Sequence, residues 1–235
     1  MSFNYAFVTG ASQGLGKAFC EYLSVNGYFV FAGVRDIQRF DLAHENVCPV
    51  VIDVTSDSSI SQACEKVREK TNAIDLLINN AGINKDTATF GNKNLVCKLD
   101  QLDRGMLLKM FNTNSVSPLM VTKCFLPFLV TDPCFVINIS SNRASFHDEL
   151  PNENANYGYR ASKIALNMYT FCSVWDLPKN VKTFAVHPGD MKTHMNPDGV
   201  DDPLIQAEKI INITKNWNDE FNGKFLRYSG ELYPL

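Results

Sequence analysis

Short apolar runs alternate with amphipathic segments along almost the whole chain. The runs are unbroken instead of alternating in polarity, which is typical of strands that are covered on both faces of a parallel sheet. They predict strands at residues 5–9, 28–32, 49–52, 74–78, 135–139, 182–186 and 224–228. Between them, apolar positions at helical spacing predict helices at residues 15–25, 56–70, 102–129, 157–175 and 205–214.

This alternation indicates an α/β fold: a doubly wound, Rossmann-like parallel sheet of about seven strands with helices on both faces. Such a sheet binds ligands at the carboxyl ends of its strands. No linker or repeat divides the chain, so we expect one domain over residues 1–235. The helix at 157–175 is predicted to turn an apolar stripe toward the core, made of Ala161, Ile164, Ala165, Met168, Phe171, Cys172 and Trp175.

Composition and charge exclude several classes of protein. The 235 residues include 22 Lys or Arg and 25 Asp or Glu, so the net charge is −3. A mildly acidic chain argues against a surface that binds nucleic acid or an anionic membrane. The chain has no apolar run that could span a bilayer, and its first residues lack the features of a signal peptide. The 7 scattered cysteines form no CxxC pair and give no metal spacing, which favours a reducing, cytoplasmic location and no metal.

A glycine-rich turn, TGASQGLG at residues 9–16, follows the first predicted strand. Glycines permit a tight turn and let the backbone approach a pyrophosphate closely. The helix that begins here would add free N–H groups and the positive end of its dipole. The spacing is GxxxGxG, and it predicts a dinucleotide-phosphate site.

The next three strands end in residues that suit the rest of a dinucleotide. Arg35 follows the second strand, where a guanidinium fits the 2′-phosphate of NADP. An NAD site usually has a carboxylate at this position. Asp36, directly after Arg35, weakens the prediction of NADP. Asp53 and Val54 follow the third strand, where an adenine amino group could be accepted. The fourth strand ends in NNAG at 79–82, whose small residues suit close contact with a flat cofactor.

Tyr159 and Lys163 lie on one face of their predicted helix, because residues four apart are neighbours. A Lys cation beside a phenol favours the phenolate, so the pair predicts a lowered Tyr159 pKa and an acid or base that works near neutral pH. Ser141 ends the fifth strand and could donate a hydrogen bond to a carbonyl oxygen. Ser140 and Ser145 are alternatives for that hydroxyl.

Taken in order, the motifs resemble the short-chain dehydrogenase/reductase family. They are TGASQGLG, DV at 53–54, NNAG, an Asn-containing helix, ISS at 139–141, YRASK at 159–163 and the segment from His187 to Thr193. The resemblance covers essentially the whole chain, and further details are similar to the C-factor and sniffer-like carbonyl reductase branch. It implies hydride transfer between a nicotinamide cofactor, NADP or else NAD, and the carbon of a small carbonyl or alcohol substrate.

The resemblance also implies a role for each site residue. Tyr159 would protonate the carbonyl oxygen, Lys163 would hold the nicotinamide ribose, and Ser141 would orient the carbonyl. Asn114, which fits the family helix better than Asn112, would hold a water that links Lys163 to solvent. The implied cofactor-binding residues are Gly10, Ser12, Gln13, Gly14, Leu15, Gly16, Arg35, Asp53, Val54, Asn80, Ala81, Gly82, Tyr159, Lys163, Pro188, Gly189, Met191 and Thr193.

Two features depart from the family pattern. Ser141 stands 18 positions before Tyr159, a longer spacing than usual, and Gln13 stands where many NADP-preferring members have a basic residue. The substrate wall is expected from loops at 84–100, 142–156 and 190–202, whose net acidic rim disfavours dianions.

The resemblance also bears on partners and on an alternative function. Related enzymes pair through the helices at 102–129 and 157–175, so a homodimer or homotetramer is expected. The alternative function is a dinucleotide-binding signalling or regulatory protein with little turnover.

Overall fold

The computed structural model of the protein describes residues 4–84, 99–147 and 156–235, so most of the first two predicted substrate loops lies outside the described residues. Seven parallel strands form one sheet in the order β3-β2-β1-β4-β5-β6-β7. Their bounds are β1 Asn4–Thr9, β2 Tyr28–Val34, β3 Val47–Val51, β4 Leu76–Asn79, β5 Cys134–Ile139, β6 Val181–His187 and β7 Phe225–Arg227. The predicted fold class and all seven predicted strands are confirmed.

In the described residues, six α-helices cover the sheet: α1 Gly14–Val25, α2 Asp57–Arg68, α3 Arg104–Phe111, α4 Ser117–Phe125, α5 Tyr157–Ser173 and α6 Pro203–Lys215. One apolar core lies under α1 and α6, where Phe19 and Ile210 are fully buried. A second core lies on the opposite face under α2 and α4, where Phe7 packs on Phe125 at 4.4 Å between ring centroids. In the described part of the chain, no helix is both long and apolar enough to cross a membrane.

The strand order reverses between β1 and β4, because β1 pairs with β2 on one side and with β4 on the other. The connections from these two strands diverge to opposite faces, which opens a crevice at their carboxyl ends. The glycine-rich turn follows β1 and the NNAG segment overlaps the end of β4, so the topology brings both to this crevice.

The prediction of one continuous helix at 102–129 is wrong in one respect, because the helix in the structure is interrupted in its middle. α3 ends at Phe111, a π-helical turn spans Asn112–Val116, and α4 begins at Ser117. Pro118 has no N–H and its ring crowds the carbonyl four residues earlier, so regular α-helical bonding cannot continue here. The Ser117 hydroxyl and backbone N–H both bond the Asn112 carbonyl, which widens the turn.

The predicted core stripe of the helix at 157–175 is also wrong. Met168 and Phe171 are 55% and 42% exposed, and Trp175, which follows α5, is 70% exposed. The face of α5 that is buried carries other residues instead, namely Gly158, Ser162, Lys163, Leu166, Asn167 and Thr170. Asn138 of β5 donates to Thr170 of α5 at 3.0 Å, a contact that an apolar stripe could not satisfy.

Candidate active site

A cavity of about 430 Å³ opens at the carboxyl edge of the sheet, along the crevice. Sixteen of the predicted site residues line it: Gly10, Ser12, Gln13, Gly14, Leu15, Arg35, Asp53, Val54, Asn80, Ala81, Gly82, Tyr159, Lys163, Pro188, Met191 and Thr193. Four others are absent from the lining, namely Gly16, Asn114, Ser141 and Gly189. The cavity is therefore the place where the separate motifs meet.

The glycine-rich turn has a backbone that only glycine adopts easily. Gly10 and Gly14 have φ angles of +67° and +56°, in the left-handed region. Gly16 lies against the backbone of the turn, since a Cβ there would overlap the Gly10 carbonyl oxygen. Gly16 thus permits close packing of α1 on the turn without touching the cavity.

Asn80 and Thr9 hold the turn against β4. The Asn80 side chain donates to the Thr9 and Gly10 carbonyl oxygens at 2.9 and 3.2 Å. The Thr9 hydroxyl accepts from the backbone N–H groups of Asn80 and Ala81, both at 3.0 Å. The side-chain amide of Asn80 therefore shapes the cradle, while the residue still lines the cavity.

The far end of the cavity carries Arg35 and Asp53. Hydrogen bonds from the Thr55 hydroxyl and N–H lower the pKa of Asp53, and the nearby Arg35 charge lowers it further. Asp36 does not neutralise Arg35 directly, because its carboxylate pairs with Arg39 at 3.4 Å. Within the described ranges, no carboxylate lies within 4.0 Å of the Arg35 guanidinium.

Tyr159 and Ser141 meet at the end of β5. Burial raises the pKa of Tyr159 above its usual value, and the opposing effects of the Ser141 hydroxyl and the Arg143 charge are smaller. The expectation of a lowered pKa is therefore wrong for the cofactor-free site. A phenol that stays protonated at neutral pH is suited to donate a proton.

The two alternative serines occupy different positions. Ser145 is buried, and its hydroxyl accepts from the His147 N–H at 3.0 Å. Ser140 lines the cavity, and among the described residues its hydroxyl has no hydrogen-bond partner. Only Ser141 acts on the Tyr159 phenol, which favours it over both alternatives.

Lys163 lies beneath Tyr159, with Nζ 5.8 Å from the centroid of the ring. Its ammonium donates to the Ile139 carbonyl oxygen at 2.7 Å. Burial lowers the pKa of Lys163 to about 8, because the charged form loses its hydration. The cation is thus held next to the phenol at the base of the cavity.

Asn114 lies in the π-helical turn and is fully buried, whereas its rival Asn112 is exposed. Its side chain bonds both the N–H and the carbonyl of Ile83 at 2.8 Å and donates to Ser162 at 3.0 Å. A Cβ on Gly82 would lie 3.3 Å from Asn114 Oδ1 and 3.6 Å from Lys163 Nζ, so the two groups approach the same point.

The sequence reasoning missed several lining residues, among them Ile83, Lys109, Thr113, His194 and Met195. Ile83 directly follows the NNAG segment, and His194 and Met195 directly follow Thr193, so extending those motifs would have found them. Lys109 lies in α3 and Thr113 in the π-helical turn, which the prediction of one continuous helix did not include.

The burial of Lys163 predicts a stability effect. In Lys163→Met, the free energy of unfolding of the cofactor-free protein at neutral pH should rise by about 2 kcal/mol. Relief of the desolvation contributes about 3 kcal/mol, for a pKa moved from 10.5 to about 8, and the lost bond to Ile139 costs about 1 kcal/mol. Urea unfolding measures this difference, with the exposed Lys123→Met as the control.

The same effect has a definite pH dependence. Between pH 8 and 10.5 the unfolded chain binds more protons than the folded chain at Lys163, so the stability of the wild type rises with pH in this window. The advantage of Lys163→Met should therefore shrink as the pH rises through it. A gain that is independent of pH, or no gain, would contradict the burial of a cation at this position.

The residues at the cavity fit a nicotinamide dinucleotide. The left-handed glycines Gly10 and Gly14 carry no side chain at the cavity wall, beside the N-terminus of α1. Arg35 lies at one end of the cavity, and Tyr159 and Lys163 lie with Thr193 and Pro188 at the other. Gly189, with φ of +98°, lets the Pro188–Thr193 segment turn beside the end of the cavity that holds Tyr159. The Asp201 carboxylate accepts a hydrogen bond from the Asp190 N–H in this segment at 2.7 Å.

This fold and this cavity together define an oxidoreductase of the Rossmann-like class, with a Tyr/Lys helix pair at the carboxyl edge of the sheet. The profile of the short chain dehydrogenase family matches residues 4–203. The chain belongs to that family.

Known proteins support the same class. A carbonyl reductase from chicken fatty liver, solved with NADPH bound, is 28% identical, with a TM-score of 0.86 over 100% of both chains. The carbonyl reductase Sniffer of D. melanogaster is 25% identical, with a TM-score of 0.87 over 100% of both chains. C-signal of Myxococcus xanthus is 30% identical over 167 residues, which are 70% of this chain and 94% of that protein.

Proposed function

We propose that the protein is an NADP(H)-preferring oxidoreductase that reduces a carbonyl compound, or oxidises the corresponding alcohol. One observation carries the proposal: Tyr159 interacts with Ser141 and lies over Lys163 at the wall of the cavity that the glycine-rich turn also lines. A protein that only sensed the cofactor would not need an acid placed in this way. NADPH bound to the chicken carbonyl reductase supports the choice of cofactor.

The chain's own groups would divide the work as follows. Ser141 would donate a hydrogen bond to the carbonyl oxygen, which fixes the carbonyl and stabilises the charge that develops on it. Tyr159, protonated at neutral pH, would supply the proton to that oxygen. The cation of Lys163 would stabilise the phenolate left behind and hold the nicotinamide ribose. When bound, the nicotinamide cofactor supplies the hydride.

Asn114 would support the return of a proton. Its side chain fixes the backbone at Ile83 next to the Lys163 ammonium, and its two Nδ2 hydrogens go to the Ile83 carbonyl and the Ser162 hydroxyl. The second lone pair of Oδ1 is the group that would hold the connecting water.

The cofactor preference follows from Arg35. A guanidinium that forms no ion pair within 4.0 Å among the described residues would form charge-assisted bonds to a 2′-phosphate, and NADH lacks that group. Titration of the purified protein, followed by cofactor fluorescence, tests this. Arg35→Ser should weaken NADPH binding roughly tenfold to hundredfold and leave NADH binding unchanged. The matched control is Arg39→Ser, since Arg39 pairs with Asp36.

Equal binding of the two cofactors by the wild type would refute the role of Arg35 and leave the family assignment standing. Binding of neither would remove the basis of the proposed reaction. Tight binding of NADPH without turnover of any carbonyl compound would favour the alternative, a regulatory protein.

We also propose that two copies of the chain pair through α5. Met168, Phe171 and Trp175 form an exposed apolar strip, with the Phe171 and Trp175 rings 4.9 Å apart. A strip of this kind is covered when it packs on its own copy across a two-fold axis. Sedimentation should give a dimer for the wild type and for Ile37→Glu, an apolar surface site elsewhere, and a monomer for Trp175→Glu. A monomeric wild type would overturn the pairing.

A cytoplasmic location stays a prediction from the cysteine pattern.

A further inference from the structure

Two cysteine thiols lie in contact between α2 and α4, and neither is among the residues that line the cavity. The sulfur of Cys64, in α2, lies 2.7 Å from the sulfur of Cys124, in α4. The Cys124 thiol also lies 3.9 Å from the carbonyl oxygen of Ile60, one turn before Cys64 on the same helix. Two separate contacts therefore place the Cys124 side chain against the face of α2 that carries Cys64.

Packing of both helices on one apolar core holds the two thiols together. The buried face of α2 carries Ile60, Ala63, Cys64 and Val67, at helical spacing. Cys124 directly precedes Phe125, which is fully buried in the same core. Both cysteines thus lie on regular helices that pack against each other, so their proximity is a property of the folded state.

The two thiols differ in their access to solvent. Cys64 is only 3% exposed, whereas Cys124 is half-buried, so a small reagent from solution reaches Cys124 first. Burial and the neighbouring Cys124 raise the pKa of the Cys64 thiol, so Cys64 stays protonated in the reduced protein. When a cysteine is oxidised beside a second thiol, the sulfenic acid condenses with that thiol, which protects it from further oxidation.

We propose that Cys64 and Cys124 form a reversible oxidation site that a hydroperoxide converts to a disulfide. In the first step a sulfur–oxygen bond forms at Cys124 as the oxygen–oxygen bond of the peroxide breaks, which leaves a sulfenic acid and releases water, or an alcohol from an organic peroxide. In the second step the Cys64 sulfur attacks the sulfenic sulfur. The sulfur–sulfur bond forms, the sulfur–oxygen bond breaks, and the hydroxyl group leaves with the Cys64 proton as water.

The disulfide would also stabilise the part of the chain that carries the cavity. It would close a loop over residues 64–124, which contains β4, the NNAG segment and Asn114. A cross-link over a loop of this length restricts the unfolded chain, so the oxidised protein should unfold at a temperature roughly 4–10 °C higher than the reduced protein. The site does not depend on the carbonyl reduction proposed above.

Mass spectrometry after treatment with hydrogen peroxide tests the site. The wild type should become about 2 Da lighter, because two hydrogen atoms leave, and dithiothreitol should restore the original mass. Trypsin should then release residues 40–66 joined to residues 124–143. Cys48 and Cys134 lie on these same two peptides, so Cys48→Ala and Cys134→Ala are the matched controls and should retain the cross-link. Cys64→Ala and Cys124→Ala should each lose it.

Three results would contradict the proposal. If Cys124 gains oxygen as a sulfinic acid without a cross-link, Cys64 does not capture the sulfenic acid. A wild type that keeps its mass, or a cross-link that persists in Cys64→Ala, would likewise overturn the site. Thermal unfolding tests the stabilisation: peroxide should raise the transition of the wild type and leave that of Cys124→Ala unchanged. A cross-linked wild type that unfolds at or below the temperature of the reduced protein would overturn the stabilising role.

Discussion

Replacing Tyr159 with phenylalanine should lower kcat for carbonyl reduction by roughly 10²–10⁴-fold, because the substitution removes the acid that protonates the carbonyl oxygen. The affinity for NADPH should stay close to that of the wild type, since Lys163 and the glycine-rich turn are untouched. Burial keeps the Tyr159 phenol protonated at neutral pH, and Phe fills the same space. Steady-state kinetics and an NADPH titration on the same preparation measure both quantities.

Tyr157→Phe is the matched control, because Tyr157 lies on the same helix and is exposed. It should retain wild-type kcat and NADPH affinity. A Tyr159→Phe variant that reduces carbonyl compounds at the wild-type rate would show that the proton comes from another group. Ser140, whose hydroxyl lines the cavity, would then be the next residue to substitute.

Gly16→Ala should have the largest effect on the cradle. The added Cβ would overlap the Gly10 carbonyl and lie 2.5 Å from the Asn80 side-chain nitrogen, so the turn or α1 must move. The free energy of unfolding should fall by roughly 3 kcal/mol, as in other overpacked sites. If two N–H donors to the pyrophosphate are displaced, NADPH affinity should fall roughly a hundredfold. Urea unfolding and an NADPH titration measure the two effects.

Gly105→Ala, in the first turn of α3, provides the comparison. A Cβ there would approach a single side-chain oxygen, Asp103 Oδ1, at 3.2 Å. Alanine is favoured over glycine in a helix by roughly 0.5–1 kcal/mol, so stability and NADPH binding should change little. Equal behaviour of the two variants would contradict the close packing of Gly16 on the turn.

Much of the fold and of the cavity could be predicted from the sequence because the signals are local. An unbroken apolar run that ends at a glycine, as at Thr9–Gly10, marks the end of a buried strand directly. Parallel pairing then brings the ends of β1, β2 and β4 to one edge, whatever the details of packing. This explains why Gly14, Arg35 and Asn80 could be assigned to one cavity from their positions alone.

The failures arise where the structure depends on contacts that the pattern of apolar positions does not contain. Pro118 breaks the helix that carries Asn114, but whether the result is a kink, a loop or a π-helical turn depends on the hydroxyls of Ser115 and Ser117. The buried face of α5 includes Thr170, which bonds Asn138 on β5, and no spacing within the helix contains that partner. The pKa of Tyr159 depends on burial, which an i, i+4 spacing does not contain.

The central claim is that the site transfers hydride to a carbonyl carbon. The most direct test uses NADPH that carries deuterium at C4 of the nicotinamide, on the transferable position, with a panel of carbonyl compounds that includes 4-carboxybenzaldehyde. We predict an alcohol product with one deuterium on the carbinol carbon, formed by the wild type and nearly absent with Tyr159→Phe. Tight binding of NADPH with no labelled alcohol from any member of the panel would contradict the claim.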